Sequence, residues 1–464
     1  MMRLRFFLPV LGLASLSMFA AACGDDDDTT GEGGAGGEAP THPGTAGEGG
    51  EVSVGGGCAS DGTGTVVIEV EGLPDGVAPD VSLSGAHDYA VAEAGPLEDI
   101  EAGTYEVTAA RVFDADPIVR TVYDATVTAP SFCLGDGDSH TIKVTYTAIP
   151  SSNKLWLTTG KDDELAAFSS ATIAETVMTD PDVSIDTTGA VSLAFDRDGN
   201  LWAVGPTIGE DMLVRIPAAE LGASGKRTPD VAIKVPEIEC FPFINHIAFD
   251  STGNLWLSAC GDEVRSIAAA DLTTSGDKTS DVVLTGLVNN TGIAFDKSGN
   301  LWVAGGPALL RFDAANLSGT DTTAADASLT ITSATADKTV LGADELAFDK
   351  AGNLWGVAGS SIFQLKATDL AGAGDKAVKA NVSFTIDVLA LPSTPAFDDS
   401  NGLWVDLADG YLGWFSPTQL GTSAAPGAPV DPSVLISSDS ITSGLPLAFF
   451  PAPEGLPLYH SIPE

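Results

Sequence analysis

The stretch Gly292-Ile-Ala-Phe-Asp-Lys-Ser-Gly-Asn-Leu-Trp-Val-Ala304 decides the fold, because the chain repeats it. Its core returns as Phe195-Asp-Arg-Asp-Gly-Asn-Leu-Trp202, Phe249-Asp-Ser-Thr-Gly-Asn-Leu-Trp256, Phe348-Asp-Lys-Ala-Gly-Asn-Leu-Trp355 and Phe397-Asp-Asp-Ser-Asn-Gly-Leu-Trp404, with a lone Leu155-Trp156 ahead of them. Apolar residues flank an Asp and a Gly-Asn pair that supply local hydrogen bonding and a positive φ, so each copy reads as two strands joined by a tight turn. Successive tryptophans stand 46, 54, 46, 53 and 49 residues apart. That is the period of a radially repeated four-stranded sheet and not of a helical solenoid. The expected fold is all-β, a six-bladed β-propeller, with the repeated Phe and Trp side chains as core between blades.

The second half of each period supplies two more strands. A third strand runs into a short helical turn at Val214-Arg-Ile-Pro-Ala-Ala-Glu-Leu221, Val264-Arg-Ser-Ile-Ala-Ala-Ala-Asp-Leu272, Leu310-Arg-Phe-Asp-Ala-Ala-Asn-Leu317 and Phe363-Gln-Leu-Lys-Ala-Thr-Asp-Leu370. A Ser/Gly/Thr loop then leads to a fourth strand such as Asp230-Val-Ala-Ile233 or Asp281-Val-Val-Leu284. The first repeat lacks its Phe-Asp strand, and Leu447-Ala-Phe-Phe450 resembles the missing piece. The C-terminal strand is therefore expected to pair with residues 155–158 and close the ring. The turn aspartates recur with a nearby glycine in every full hairpin, which marks turn chemistry. Only Asp196-Arg197-Asp198-Gly199 hints at calcium spacing, and it lacks the third ligand and the later Glu.

Ahead of the repeats, residues 58–149 alternate apolar and polar in short bursts at Thr65 to Val70, Val81 to Leu83, Tyr105 to Ala109, Val122 to Val127 and Ile142 to Tyr146. Turn signals separate them, the pattern of a small antiparallel β-sandwich preceding a propeller over 150–464. Residues 1–23 read as a targeting segment: Arg3 and Arg5, an apolar run from Phe6 to Phe19, and Ala20-Ala21-Ala22-Cys23. From Gly24 to Gly57 the 34 residues contain no Lys or Arg and are rich in Gly, Asp, Glu and Thr. Such a segment buries too little to offset its ordering entropy and reads as a disordered tether, reaching about 30 Å as a flexible coil.

Asp plus Glu number 64 against 21 Lys plus Arg, a net charge of −43. A chain so acidic repels phosphate backbones and anionic lipid surfaces, which excludes nucleic-acid binding. With Cys23 set aside, four cysteines remain, an even number suited to an oxidising compartment. Sequence proximity favours Cys58 with Cys133 and Cys240 with Cys260 among three connectivities. No Cys-x-x-Cys, P-loop, Gly-x-Ser-x-Gly or His-Glu-x-x-His occurs, and His42, His87, His140 and His460 form no cluster.

The Ala20-Ala21-Ala22-Cys23 ending resembles a bacterial lipobox, in which the cysteine carries a lipid and becomes the mature N-terminus; Ala20 stands where leucine is usual, and a plain secretory signal is the alternative. The resemblance implies an exported protein held by lipid alone in the cell envelope, at the outer membrane. Ile100-Glu-Ala-Gly-Thr-Tyr-Glu-Val-Thr108 resembles carboxypeptidase-regulatory-like and immunoglobulin-like modules, mostly spacers or adhesive units. The hairpins over 154–464 resemble NHL-type and gluconolactonase-like propellers, in which this hairpin forms the two innermost strands.

In a propeller the innermost strand lines the channel, so the informative residues precede each Phe. Four positions before it stand Val191, Asn245, Thr291, Asp344, Ser393 and Leu445; three before it stand Ser192, His246, Gly292, Glu345, Thr394 and Pro446. Gluconolactonase-like enzymes carry divalent-metal ligands on a channel ring, and by that resemblance Asn245 and Asp344 are the candidate ligands. Two such groups diluted by Val191 and Leu445 make an incomplete site, so no cofactor is expected beyond an occasional divalent cation. His246 and Glu345 could act as acid and base, although they stand two blades apart. A His in a polar channel is more often a satisfied hydrogen-bonding residue. The reading preferred is a non-enzymatic module presenting a propeller face to a protein or glycan; a metal-dependent lactonase or lyase is the alternative.

Overall fold

The computed structural model describes residues 58, 61–159, 164–187, 190–205, 213–238, 244–259, 261–288, 290–306, 308–319, 322–334, 343–386, 395–407, 410–424, 429–442 and 446–452. Cys23, the tether to Gly57, Cys240 and Cys260 lie outside them. No helix among the described residues is long and apolar enough to cross a membrane.

Residues 61–149 form two sheets. One holds Gly95–Glu101, Thr63–Glu71, Ser139–Ala148, Val122–Val127 and Val112–Phe113 in that order; the other holds Tyr89–Val91, Val81–Ser84, Gly103–Ala109 and Ser131–Leu134. Alternation does the sorting: in Gly103–Ala109 the side chains of Tyr105 and Val107 are buried while those of Thr104, Glu106 and Thr108 are exposed. Val66, Leu83, Tyr105, Ile142 and Tyr146 share one apolar cluster between the sheets. All five strand bursts read from the sequence are strands, but Thr63–Glu71 and Ser139–Ala148 run parallel, so this unit is not wholly antiparallel. Cys58 and Cys133 are joined by a disulfide across 75 residues.

From Lys154 to Phe449 the chain is a β-propeller. Each Phe-Asp hairpin is an antiparallel pair, as in Asn290–Phe295 with Leu301–Gly305, and a third and fourth strand follow at Ala308–Phe312 and Leu329–Ser333. The first strands, Leu193–Phe195, Ile244–Phe249, Asn290–Phe295, Glu345–Phe348, Ala396–Phe397 and Leu447–Phe449, touch one another in sequence and the last touches the first. Leu447–Phe449 pairs with Leu155 to Leu157 of the opening sheet, so the C-terminal strand closes the ring as expected.

The repeated phrase works as one hydrogen-bonded device. The turn aspartate accepts the indole N–H six residues on, at 3.1 Å from Trp202 to Asp196, 2.8 Å from Trp256 to Asp250, 3.1 Å from Trp302 to Asp296, 2.9 Å from Trp355 to Asp349 and 3.1 Å from Trp404 to Asp398. The following asparagine donates to that aspartate and accepts the N–H that opens the helical turn after strand three, as Asn300 does from Ala314 at 3.0 Å. Gly199, Gly253, Gly299 and Gly352 take φ between 77° and 90°, where other residues are strained. Five of the six repeat tryptophans then meet the phenylalanine of the next sheet edge-on, from Trp156 on Phe195 to Trp355 on Phe397, with centroids 5.7 to 6.3 Å apart. All six are buried, and each contributes on the order of 5 kcal/mol of apolar transfer before entropy is set against it.

The Ser/Gly/Thr loops carry structure that their composition hides. Gly225–Lys226, Gly276–Asp277, Thr322–Thr323 and Gly374–Val378 each add a parallel fifth strand to the outer edge of the preceding sheet. Val177–Met178 does the same for Val434–Ser437, and Thr385 bridges Pro429. The outer rim is thus stitched from sheet to sheet, which covers edges that would otherwise expose unpaired N–H and C=O groups.

Residues 111–122 fix the N-terminal sheets to the hairpin-turn end of the ring. Arg111 donates to the Arg197 carbonyl at 2.6 Å, and Arg120 pairs with Asp399 at 3.2 Å. Val119 packs with Leu155 and Trp404, and Val122 with Trp156, Phe195 and Phe450. The opposite end of the ring, where the first strands begin, holds His246 and Glu345.

Candidate functional site

An axial cavity of about 100 Å³ lies between the first strands. The same position of every one of them is alanine: Ala194, Ala248, Ala294, Ala347, Ala396 and Ala448 all line it. A strand's side chains alternate, so residues two before each alanine share its face and those three before do not. Of the candidates, His246 is among the lining residues, and Asp344 and Glu345 are not.

His246 lines the cavity, and its Nε2 stands 3.4 Å from Glu345 Oε2. The side chains are 11% and 14% exposed. One sheet intervenes between theirs, and its residue in this row is Gly292, which has no side chain to separate them. A Cβ on Gly292 would sit 2.8 Å from the Asp344 carbonyl oxygen and the Glu345 Cα, so the close approach of neighbouring strands excludes any larger residue. Two blades of separation in sequence therefore become direct contact in space, against the sequence expectation.

The backbone at His246 is also particular. The ladder slips between Ile244 and Ile247, and serines take the amides it leaves. His246 N–H donates to Ser258 Oγ at 3.0 Å, and Ile247 N–H to Ser192 Oγ of the preceding sheet at 3.1 Å. Burial pushes the imidazole down to about 4, so it is neutral at neutral pH. Its Nδ1 is buried with no hydrogen-bond partner among the described residues. The cavity wall beside this histidine is apolar, and its Nδ1 has no partner among the described residues.

Asp344 is exposed, and its carboxylate accepts the backbone N–H of Gly359 in its own hairpin. Partial desolvation raises its pKa against that hydrogen bond. The Asn245 side chain lies outside the described residues. Among the described residues no three His, Cys, Asp or Glu side chains converge within reach of one metal ion. The sequence reading named His246, Glu345 and Gly292 but left the alanine row unread, although every copy of the phrase contains it.

No family model and no curated protein matches the chain. Among solved structures it is similar to the C-terminal WD40 domain of Sif2, at 8% identity and a TM-score of 0.35, over 71% of this chain and 82% of that one. A likeness that weak adds nothing to the strand pairing described above.

Proposed function

We propose that the chain is an exported lipoprotein anchored through Cys23, with an acidic tether over 24–57, an immunoglobulin-like or carboxypeptidase-regulatory-like sandwich over 58–149 and a six-bladed propeller of NHL or gluconolactonase type over 150–464. Six first strands around one axis support the blade count. The propeller acts as a non-enzymatic module that meets a protein or glycan partner with its open end.

One observation carries this reading. The axial cavity is walled by six alanine methyl groups, and among the described residues no three His, Cys, Asp or Glu side chains converge on one ion. The sandwich occupies the hairpin-turn end, and Val191, Val288 and Tyr411 are exposed apolar side chains at the opposite end. The net charge of −43 opposes nucleic acid and anionic lipid as partners. The lactonase or lyase alternative draws support from the His246–Glu345 pair alone.

The test assays the mature protein on a panel of lactones with Ca²⁺, Mg²⁺ or Zn²⁺, and on arrays of envelope glycans and proteins. The module reading expects no turnover above the protein-free control and saturable binding that Val288→Asp or Tyr411→Ala weakens. Turnover lost in Asp344→Ala or His246→Ala would replace it with the enzymatic reading.

A further inference from the structure

The ring has one seam, and the chain ahead of the repeats reaches into it. Five first strands run through a Phe-Asp turn into their second strand, so the chain itself holds each pair together. The remaining one, Leu447–Phe449, meets Leu155 to Leu157 through three ladder positions, with the whole repeat between them in sequence. Beside that pair the aromatic contact lapses as well. Among the described residues Trp404 makes its ring contact with Trp414 and none with Phe449, the phenylalanine of the next sheet.

Six apolar clusters fill the spaces between neighbouring sheets, and side chains from residues 113–122 enter two of them. Those two flank the opening sheet. Val119, 2% exposed, packs with Leu155, Trp404 and Phe449 at the seam, with Ile118 beside it, and Val122 packs with Trp156 and Phe450 on the other flank. The same segment bonds to both sheets that meet there. Asp399 N–H, in the last hairpin turn, donates to the Ile118 carbonyl at 2.9 Å, and Arg120 donates its backbone N–H and its Nε to Asp399 Oδ2 at 3.2 Å each. On the side of the opening sheet, Asn153 N–H donates to the Arg120 carbonyl at 3.2 Å, Asn153 Nδ2 to Thr121 Oγ1 at 2.9 Å and Ser170 Oγ to Asp116 Oδ2 at 2.9 Å. Two aspartates hold the segment in this shape: Asp114 accepts Thr121 N–H at 2.9 Å, and Asp116 accepts the N–H groups of Ile118 and Val119 at 2.8 and 3.1 Å.

We infer that residues 114–122 are a clasp that keeps the ring shut at its seam, and that holding it there is a function of the N-terminal sheets. Releasing the clasp opens the ladder between Leu155–Leu157 and Leu447–Phe449 while the covalently joined hairpins stay closed. The other tie across the seam is short, the two-residue pairing of Val177–Met178 with Val434–Ser437 on the outer rim. Closure does not depend on what the open end of the ring meets, so the two readings fail separately.

Native-state hydrogen exchange on the mature protein tests this, because exchange reports local openings one segment at a time. Val119→Ala and Arg120→Ala should each speed exchange at residues 155–157 and 447–449 by about tenfold or more, and leave residues 293–295 and 346–348 within about twofold of wild type. Arg111→Ala, which releases the contact with the Arg197 carbonyl away from the seam, should leave all four segments within about twofold. In the wild type, residues 118–122, 155–157 and 447–449 should open together as urea rises, before the rest of the ring, a measurement that needs no variant to fold. Seam exchange unchanged in both clasp variants overturns the inference, as does equal acceleration in every segment. It is also overturned if Arg111→Ala matches Arg120→Ala at the seam, or if residues 118–122 and the seam strands of the wild type open at different urea concentrations.

Discussion

Trp414 donates its Nε1 proton to the Asp398 carboxylate at 2.7 Å, and Gly402 makes the room for it. In the other full hairpins the residue equivalent to Gly402 is asparagine, and the residues facing the repeat tryptophan across strand three are Arg215, Ser266, Arg311 and Gln364. Here the order is Asn401-Gly402, Asn401 takes the left-handed turn position at φ 64°, and a Cβ at 402 would overlap the Trp414 indole. The apparent lapse in the repeat is a paired exchange.

Gly402→Asn restores the common phrase and should nevertheless destabilise, by about 1–3 kcal/mol, because it overpacks the indole. Adding Trp414→Arg should recover part of that loss. Denaturant unfolding of both singles and the double measures the coupling, expected between about 0.5 and 3 kcal/mol.

Asp349 is buried and gathers five donors: Trp355 Nε1 at 2.9 Å, Asn353 Nδ2 at 2.8 Å, the backbone N–H groups of Ala351 and Asn353 at 3.0 and 2.9 Å, and Gln364 Nε2 at 3.5 Å. Asp349→Ala leaves these buried donors without an acceptor and should cost about 2–4 kcal/mol. Asp250→Ala, at a half-buried copy of the same turn, should cost less. Urea midpoints at constant slope decide the order.

The Cys58–Cys133 bond closes a 75-residue separation. In the chain-entropy account that is worth about 4 kcal/mol, so reductant or the double serine variant should lower the melting temperature. A non-reducing peptide map should show this pair, and it also tests the expected Cys240–Cys260 pair.

The neutral His246 predicts a pH window. Its ordinary value is 6.5 and burial lowers it to about 4. Between these values the unfolded chain binds a proton that the native state does not, so stability is full above pH 6.5 and falls as pH drops toward 4. The gap corresponds to on the order of 3 kcal/mol. His246→Gln, compared with wild type by unfolding at pH 4, 5.5 and 7, should remove that part of the slope.

Much of this architecture was legible in the sequence, because tryptophan, phenylalanine and turn aspartate recur at fixed offsets and each has one physical use. The closing strand was legible too, since Leu447-Ala-Phe-Phe450 repeats the apolar half of a phrase whose partner opens the ring. The rim strands were not. Gly225–Lys226 and Gly276–Asp277 are too short and polar to signal a strand, and only the neighbouring sheet makes them one. The channel pair was half legible. His246 and Glu345 stood in the right row, but their contact depends on a ladder slip at Ile244 and on tight packing at Gly292, neither of which has a local signature.

The central claim, that this propeller binds and does not catalyse through a channel metal, meets its most direct test in divalent-cation titration of the mature protein. An ion bound only to the folded state raises the melting temperature by mass action. The alanine-lined channel and an Asp344 carboxylate held on the Gly359 N–H predict no saturable shift with Ca²⁺, Mg²⁺ or Zn²⁺ beyond a diffuse ionic-strength effect. A shift saturating at millimolar concentration or below, and lost in Asp344→Ala, would contradict the claim.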